Sequence, residues 1–271
     1  MSLISQIASG QFKRIIVLTG AGISTSADIP DYRSKAGIFA RLMKEFSEAT
    51  SPQDMFSRSF VSKYKVYEHP IYKHPIYKQL VQDINNAVPT PAHMLCKWFY
   101  DKGWLARVYT QNIDGLHQKA GLPDDMVIEY HGSLVHNNVV LYGDAIPPHA
   151  ILQTTIDFVY SKDPIDLMLV MGTSLQVAPF CALPNLVPKS CTRILVDIHP
   201  ENTFVNDWSY KKVNPEGMYQ FSIMTSSTMK FGKRKVSLRP QWKRHSKWKS
   251  QYIVKSDTDG WSREVMSFAL K

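Results

Sequence analysis

Arg14-Ile-Ile-Val-Leu18 runs directly into Thr19-Gly-Ala-Gly-Ile-Ser24, and this join decides the fold. The apolar run is too short for a helix and rich in Ile, Val and Leu, so it reads as a strand buried on both faces. Glycines just past such a strand let backbone approach a pyrophosphate, and a following helix N-terminus attracts its charge. As a dinucleotide fingerprint the join is incomplete, because Thr25 stands where G-x-G-x-x-G has its third glycine.

Three more joins repeat the design. Leu105-Ala-Arg-Val-Tyr109 leads into Thr110-Gln-Asn-Ile-Asp114, Asp166-Leu-Met-Leu-Val-Met171 into Gly172-Thr-Ser174, and Arg193-Ile-Leu-Val196 into Asp197-Ile-His-Pro200. Helical patterns lie between them: Ala92–Tyr100 has Pro91 before it and Gly103 beyond it, and Leu116–Ala120 stops at Gly121. Alternating strands and helices predict an α/β fold, a Rossmann-like doubly wound parallel sheet. Ligands of such sheets gather at the carboxyl ends of the strands, where all four polar turns sit.

The chain of 271 residues suits one domain (1–271) with insertions. Residues 38–90 interrupt the strand pattern and read as a small, mostly helical second lobe, with short helices at Phe39–Phe46, Phe56–Tyr67 and Tyr77–Ile84. Within it His69-Pro-Ile-Tyr-Lys73 is followed at once by His74-Pro-Ile-Tyr-Lys78. Proline breaks helix and ladder alike, so this repeat reads as an extended loop. Residues 201–255 read as a basic C-terminal insertion containing a hairpin, Phe221–Thr225 with Val236–Leu238 around Gly232. A last helix, Asp257–Leu270, turns Val265, Phe268 and Ala269 to one side.

Net charge is +9, yet residues 211–250 hold eleven Lys/Arg and one acid, Glu216, which leaves the rest of the chain near neutral. Lys233-Arg-Lys235 and Lys243-Arg244 interleave with Trp242 and Trp248. That composition fits contact with nucleic acid or another polyanion, or a nuclear import signal; the plainer reading is a solvated insertion or hairpin whose aromatics pack on the body. The three cysteines, Cys96, Cys181 and Cys191, are too few and too far apart for a disulfide framework. This suits a reducing compartment, cytoplasm or nucleus. No apolar run is long enough to cross a membrane, and the N-terminus lacks the pattern of a secretory signal.

Five stretches, in order, carry a resemblance. Gly20-Ala-Gly-Ile-Ser-Thr-Ser-Ala-Asp-Ile-Pro-Asp-Tyr-Arg33 resembles the first signature of the sirtuins, NAD-dependent protein-lysine deacylases. Thr110-Gln-Asn-Ile-Asp-Gly-Leu-His117 resembles the second, Tyr130-His-Gly132 the catalytic histidine motif, Tyr142-Gly-Asp144 the substrate loop, and Gly172-Thr-Ser-Leu-Gln-Val-Ala-Pro-Phe180 the next motif. The resemblance implies NAD as cofactor and acyl-lysine protein or peptide as substrate. Gly20, Ala21, Gly22, Ser24 and the loop through Asp31, Tyr32 and Arg33 would wrap the cofactor, with Gly172, Thr173, Ser174 and Asp197 on its phosphate and ribose side. Gln111, Asn112, Ile113 and Asp114 would line the nicotinamide pocket. His131, with Asn112, would be catalytic, taking a proton from a ribose hydroxyl so that the acyl group passes to ADP-ribose. The peptide would lie as an added strand between Tyr142-Gly143-Asp144 and Val177–Phe180, with Val177 and Phe180 beside the acyl-lysine tunnel.

The chain departs from the family pattern at four places. Tyr32 replaces the usual Phe, Asp197 stands where Asn is common, and Asp28 stands where the family has glycine. Two cysteine pairs that bind a structural zinc are expected between the histidine motif and Tyr142. Only eleven residues separate His131 from Gly143, none of them cysteine, so the module is reduced to 133–141 and no zinc is expected. The small lobe lacks a Tyr-x-x-Arg pair, so neutral acyl groups, acetyl first, are expected. NAD hydrolysis, mono-ADP-ribosyl transfer and a catalytically weak NAD-binding scaffold remain alternatives.

Overall fold

Six strands pair in parallel in the order β3-β2-β1-β4-β5-β8 in the computed structural model, which describes residues 2–34, 37–44, 49–51, 53–61, 75–188, 190–199, 228–231, 234–237 and 250–269. They are β1 (Ile15–Thr19), β2 (Leu105–Thr110), β3 (Val127–Glu129), β4 (Leu167–Met171), β5 (Thr192–Asp197) and β8 (Ser250–Lys255). A separate antiparallel pair joins β6 (Thr228–Phe231) to β7 (Arg234–Ser237). Val236 and Ser237 of the expected second hairpin strand lie in β7; the expected first strand, Phe221–Thr225, and the expected turn at Gly232 lie outside the described residues.

The period-2 alternation of strand side chains divides the core in two. Ile16, Leu18, Met168 and Val170 face a core with Tyr109, Tyr130 and Phe180. Ile15, Val17, Leu167 and Leu169 face the other, where they meet Leu95, Phe99, Trp261 and Val265. The helices that cover the sheet and build the second lobe are α1 (Leu3–Ala8), α2 (Ile38–Leu42), α3 (Arg58–Val61), α4 (Pro75–Asn86), α5 (Pro91–Asp101), α6 (Leu116–Lys119), α7 (Pro148–Thr155) and α8 (Thr258–Phe268). A third core, with Ile38, Leu42, Met55, Phe60, Leu80 and Ile84, belongs to the small lobe.

Three expectations are corrected. Pro75-Ile-Tyr-Lys78 does not stay extended, because Pro75 opens α4; positions 69–74 lie outside the described residues. Proline lacks only an N–H that the first helical turn leaves unused, so it starts a helix as readily as it breaks one. Ser250–Lys255, inside the range read as a basic insertion, completes the main sheet against β5 from Thr192↔Ser250 to Asp197↔Lys255. In α8 the buried face is Thr258, Trp261, Ser262 and Val265, while Phe268 is exposed. By spacing Phe268 shares the side of Trp261 and Val265, but it is the last residue of α8, and there its ring is exposed. Asp257 caps this helix by accepting from Gly260 N–H at 2.6 Å.

No helix among the described residues is long and apolar enough to cross a membrane. Leu169 is fully buried at the centre of β4, so Leu169→Ala is expected to cost about 2–5 kcal/mol in chemical denaturation. Leu152→Ala, at a position 62% exposed, should change stability by less than about 0.5 kcal/mol.

Candidate active site

Strand order reverses direction at the β1–β4 join, and the turns after these strands meet there. Gly20 N–H donates to Met171 C=O (3.2 Å), and Gly22 N–H to Gly172 C=O (2.9 Å). A Cβ on Gly22 would lie 2.8 Å from Gly172 Cα, and one on Gly20 would lie 2.6 Å from Thr173 Cβ. Gly172 holds φ +59°, a left-handed conformation that glycine adopts without cost. The two turns make a floor of bare backbone beneath a cavity of about 1010 Å³. Floor and volume both fit a dinucleotide, whose pyrophosphate needs close backbone approach.

Asp31 shapes the next loop. Its Oδ1 accepts from Arg33 N–H (2.8 Å) and Ser34 N–H (2.7 Å), and its C=O from Ile38 N–H (2.9 Å). Tyr32 thus packs edge-on against Phe39 and Phe56, with ring centroids 5.6 and 6.3 Å away. Burial, then the Asp114 carboxylate, push its phenol up, so the hydroxyl keeps its proton. Asp28 sits before this loop at φ 62°, a left-handed conformation that glycine adopts more readily than aspartate.

Behind the cavity, Ser24 Oγ–H donates to Asp114 Oδ2 (2.7 Å). With that proton committed, Ser24 Oγ can only accept from Asn112, which fixes the nearby amide atom as Nδ2 (3.1 Å). Asp114 Oδ1 accepts from Leu116 N–H at 3.0 Å, so the carboxylate also starts α6. Burial raises its pKa, partly offset by these donors. Thr173 Oγ1–H donates to Gln111 Oε1 (2.6 Å), joining the turns after β2 and β4.

His131 lies 3.1 Å through Nδ1 from the Gln111 backbone C=O. A carbonyl only accepts, so Nδ1 carries the proton and Nε2 is left basic. Burial pushes this imidazole down to about 4, countered in part by the Gln111 carbonyl and reinforced by Arg33. His131 is therefore neutral at physiological pH. His117 has a structural place: it is buried 4.7 Å from His93, ring to ring, with Nε2 3.0 Å from the Thr19 hydroxyl.

Of the sequence-derived residues, the cavity wall includes Ala21, Gly22, Asp31, Tyr32, Arg33, Gln111, Asn112, Ile113, His131, Tyr142, Gly143, Gly172, Thr173, Ser174, Val177 and Asp197. Gly20, Ser24, Asp114 and Asp144 stand behind it as supports. Phe180 is corrected: it opens a 3₁₀ helix, Phe180–Asn185, that turns its ring into the core, 5.5 Å from Tyr130. Sequence reasoning missed Ile198, His199, Asp257, Thr258 and Asp259 at one end of the cavity. The pair Asp257 and Asp259 was visible only as a helix start. It also missed Phe39, Met55, Phe56 and Leu80, the apolar wall given by the small lobe. All three cysteines are buried, and burial pushes each thiol up to about 12. Among the described residues no group of three or more His, Cys, Asp or Glu is arranged to hold a metal.

Fold and cavity define a doubly wound α/β protein with a dinucleotide crevice at its topological switch point. A model of the Sir2 family matches residues 20–138. The NAD-dependent protein deacetylase hst2 of Schizosaccharomyces pombe is 32% identical over 239 residues, 74% of this chain and 67% of that protein. The NAD-dependent protein deacetylase hst2-1 of Emericella nidulans is 34% identical over 223 residues, 68% of this chain and 57% of the relative. NAD-dependent protein deacetylase sirtuin-2 of Danio rerio is 32% identical over 235 residues, 73% of this chain and 59% of the relative. A solved Sir2 with a deacetylated p53 peptide and 3'-O-acetyl ADP-ribose shares the fold at TM-score 0.63 and 22% identity, over 96% of this chain and 95% of that one. The chain belongs to the Sir2 family. It spans less than three-fifths of the length of the Emericella and Danio relatives.

Gly22→Ala is expected to force the turns after β1 and β4 apart and to abolish NAD binding in calorimetry. Ser24→Ala, which leaves Asp114 and Asn112 without their shared partner, should weaken NAD binding about ten-fold while the protein stays folded.

Proposed function

We propose that the protein removes acyl groups, acetyl foremost, from protein lysine in an NAD-dependent reaction that yields nicotinamide and O-acyl-ADP-ribose. The observation that carries this reading is His131, a neutral base with its proton fixed on Nδ1, in one cavity with the backbone floor of Gly22 and Gly172. NAD, when bound, supplies the ribose carbon from which nicotinamide departs. Gly22, Gly172, Thr173 and Ser174 hold its phosphate and ribose side, and Asp197 accepts from ribose hydroxyls. Asn112, oriented by Ser24 and Asp114, and Ile113 hold the nicotinamide end. Tyr32 screens that end from water with its ring. His131 Nε2 takes a proton from a ribose hydroxyl and returns it to solvent. The substrate peptide pairs with the backbone at Gly143, and Val177 flanks its acyl-lysine.

The protein is read as carrying no structural zinc and as lying in the cytoplasm or nucleus. In an assay with NAD and acetyl-lysine peptide, nicotinamide release should depend on peptide and survive chelation. His131→Ala should lower it by about 10²–10⁴-fold. Because the His131 pKa lies near 4, its neutral form persists well below pH 6.5, so the acid limb assigned to this base should fall near pH 4. Nicotinamide release without peptide would instead indicate an NAD hydrolase or ADP-ribosyltransferase, and NAD binding without turnover a scaffold.

The basic stretch 211–250 is read as a contact for nucleic acid or another polyanion; most of it lies outside the described residues. Binding to single-stranded DNA should weaken steeply between 50 and 200 mM salt, by about 300-fold for six phosphate contacts, and vanish when Lys233, Arg234, Lys235, Lys243 and Arg244 are replaced by Ala.

A further inference from the structure

The segment between His131 and Asp144 is tied to the body in two ways. Its first half is held by the large lobe: Leu134 N–H donates to Ile113 C=O (2.9 Å), and Val140 N–H to His131 C=O (2.8 Å). Its second half is held by the small lobe. Tyr142 N–H donates to Phe56 C=O (2.8 Å), and Arg58 N–H to Tyr142 C=O (2.6 Å), forming a parallel bridge between Ser57 and Tyr142. The Arg58 guanidinium then grips Asp144 with two parallel bonds, Nε to Oδ1 and Nη2 to Oδ2, each 2.6 Å. The Asp144 carboxylate also accepts from Leu141 N–H (3.0 Å), which closes the turn that carries Gly143.

The bridge dictates which backbone is available to a substrate. In a parallel pairing one residue directs both its N–H and its C=O to the neighbouring strand, and the next residue directs both the other way. Tyr142 is committed to the Ser57 strand, and Gly143, in the cavity wall, makes no backbone hydrogen bond among the described residues. Gly143 holds φ +97°, and a Cβ there would lie 3.3 Å from Arg58 Cβ, so the turn sits directly on Arg58.

We propose that Arg58 is a positioning residue for the acyl-peptide: its fork on Asp144, joined to the Ser57–Tyr142 bridge, holds the Gly143 edge in the orientation the peptide pairs with. This rests on the deacylase reading above. An exposed ion pair contributes little to global stability, and the Arg58 side chain is 50% exposed. The value of the contact therefore lies in geometry. A bidentate fork defines angle as well as distance, and the edge it defines is the one that a peptide strand would extend.

The test is steady-state kinetics on the full chain with NAD and an acetyl-lysine peptide. Absence of peptide-dependent turnover in the unsubstituted protein would overturn the deacylase reading itself. Given turnover, Arg58→Ala should raise the peptide KM about five-fold or more, with the KM for NAD held within about two-fold. Arg58→Lys keeps the charge, loses the fork, and should fall between. Asp144→Asn, which keeps an acceptor for Leu141 N–H but loses the charged fork, should also raise the peptide KM, and thermal melts should confirm that each variant is folded. An unchanged peptide KM in folded Arg58→Ala would overturn the proposal, as would an unchanged peptide KM in folded Asp144→Asn. If Arg58→Ala does not fold, the Arg58→Lys and Asp144→Asn KM values decide it alone.

Discussion

Two turns that approach within hydrogen-bonding distance govern this molecule. Gly22 N–H reaches Gly172 C=O at 2.9 Å only because neither residue has a side chain. The contact draws the carboxyl ends of β1 and β4 together, and everything functional is arranged around it. The Gln111 side chain is brought to Thr173, Gln111 in turn orients His131, and the Ser24 hydroxyl reaches Asp114 and Asn112. One steric constraint thus sets both the phosphate floor and the position of the base.

The sequence revealed the centre of this arrangement better than its edges. β1, β2, β4 and β5 are nearly continuous apolar runs because they are covered on both faces, and such runs are hard to mistake. β3 has three residues, and β8 lies among lysines and serines at the sheet edge, so neither carries a pattern of its own. The cavity floor was legible because glycine and polar residues follow the buried strands. Phe180 was misread because sequence proximity to Val177 says nothing of the 3₁₀ turn that sends the two side chains apart. The ligand-facing start of α8 was hidden for a similar reason, since Asp257 and Asp259 also look like ordinary helix caps.

The small lobe has few described elements, yet it reaches the cavity at two distinct places. Phe39 and Phe56 pack around Tyr32, while Ser57 and Arg58 engage the segment beyond His131. Both contacts come from short stretches in which a side chain and adjacent backbone act together. In a segment with only eleven residues between His131 and Gly143, hydrogen bonds to neighbouring elements do the work of orientation.

Asp28 carries one more consequence. Glycine would reach its left-handed conformation freely and would also sample many others, whereas aspartate meets resistance there yet has fewer alternatives. The substitution therefore trades local torsional energy for a narrower conformational ensemble. A loop with fewer states loses less entropy when it closes over a ligand. The turn leading to Asp31 and Tyr32 is in this sense partly organised before anything binds.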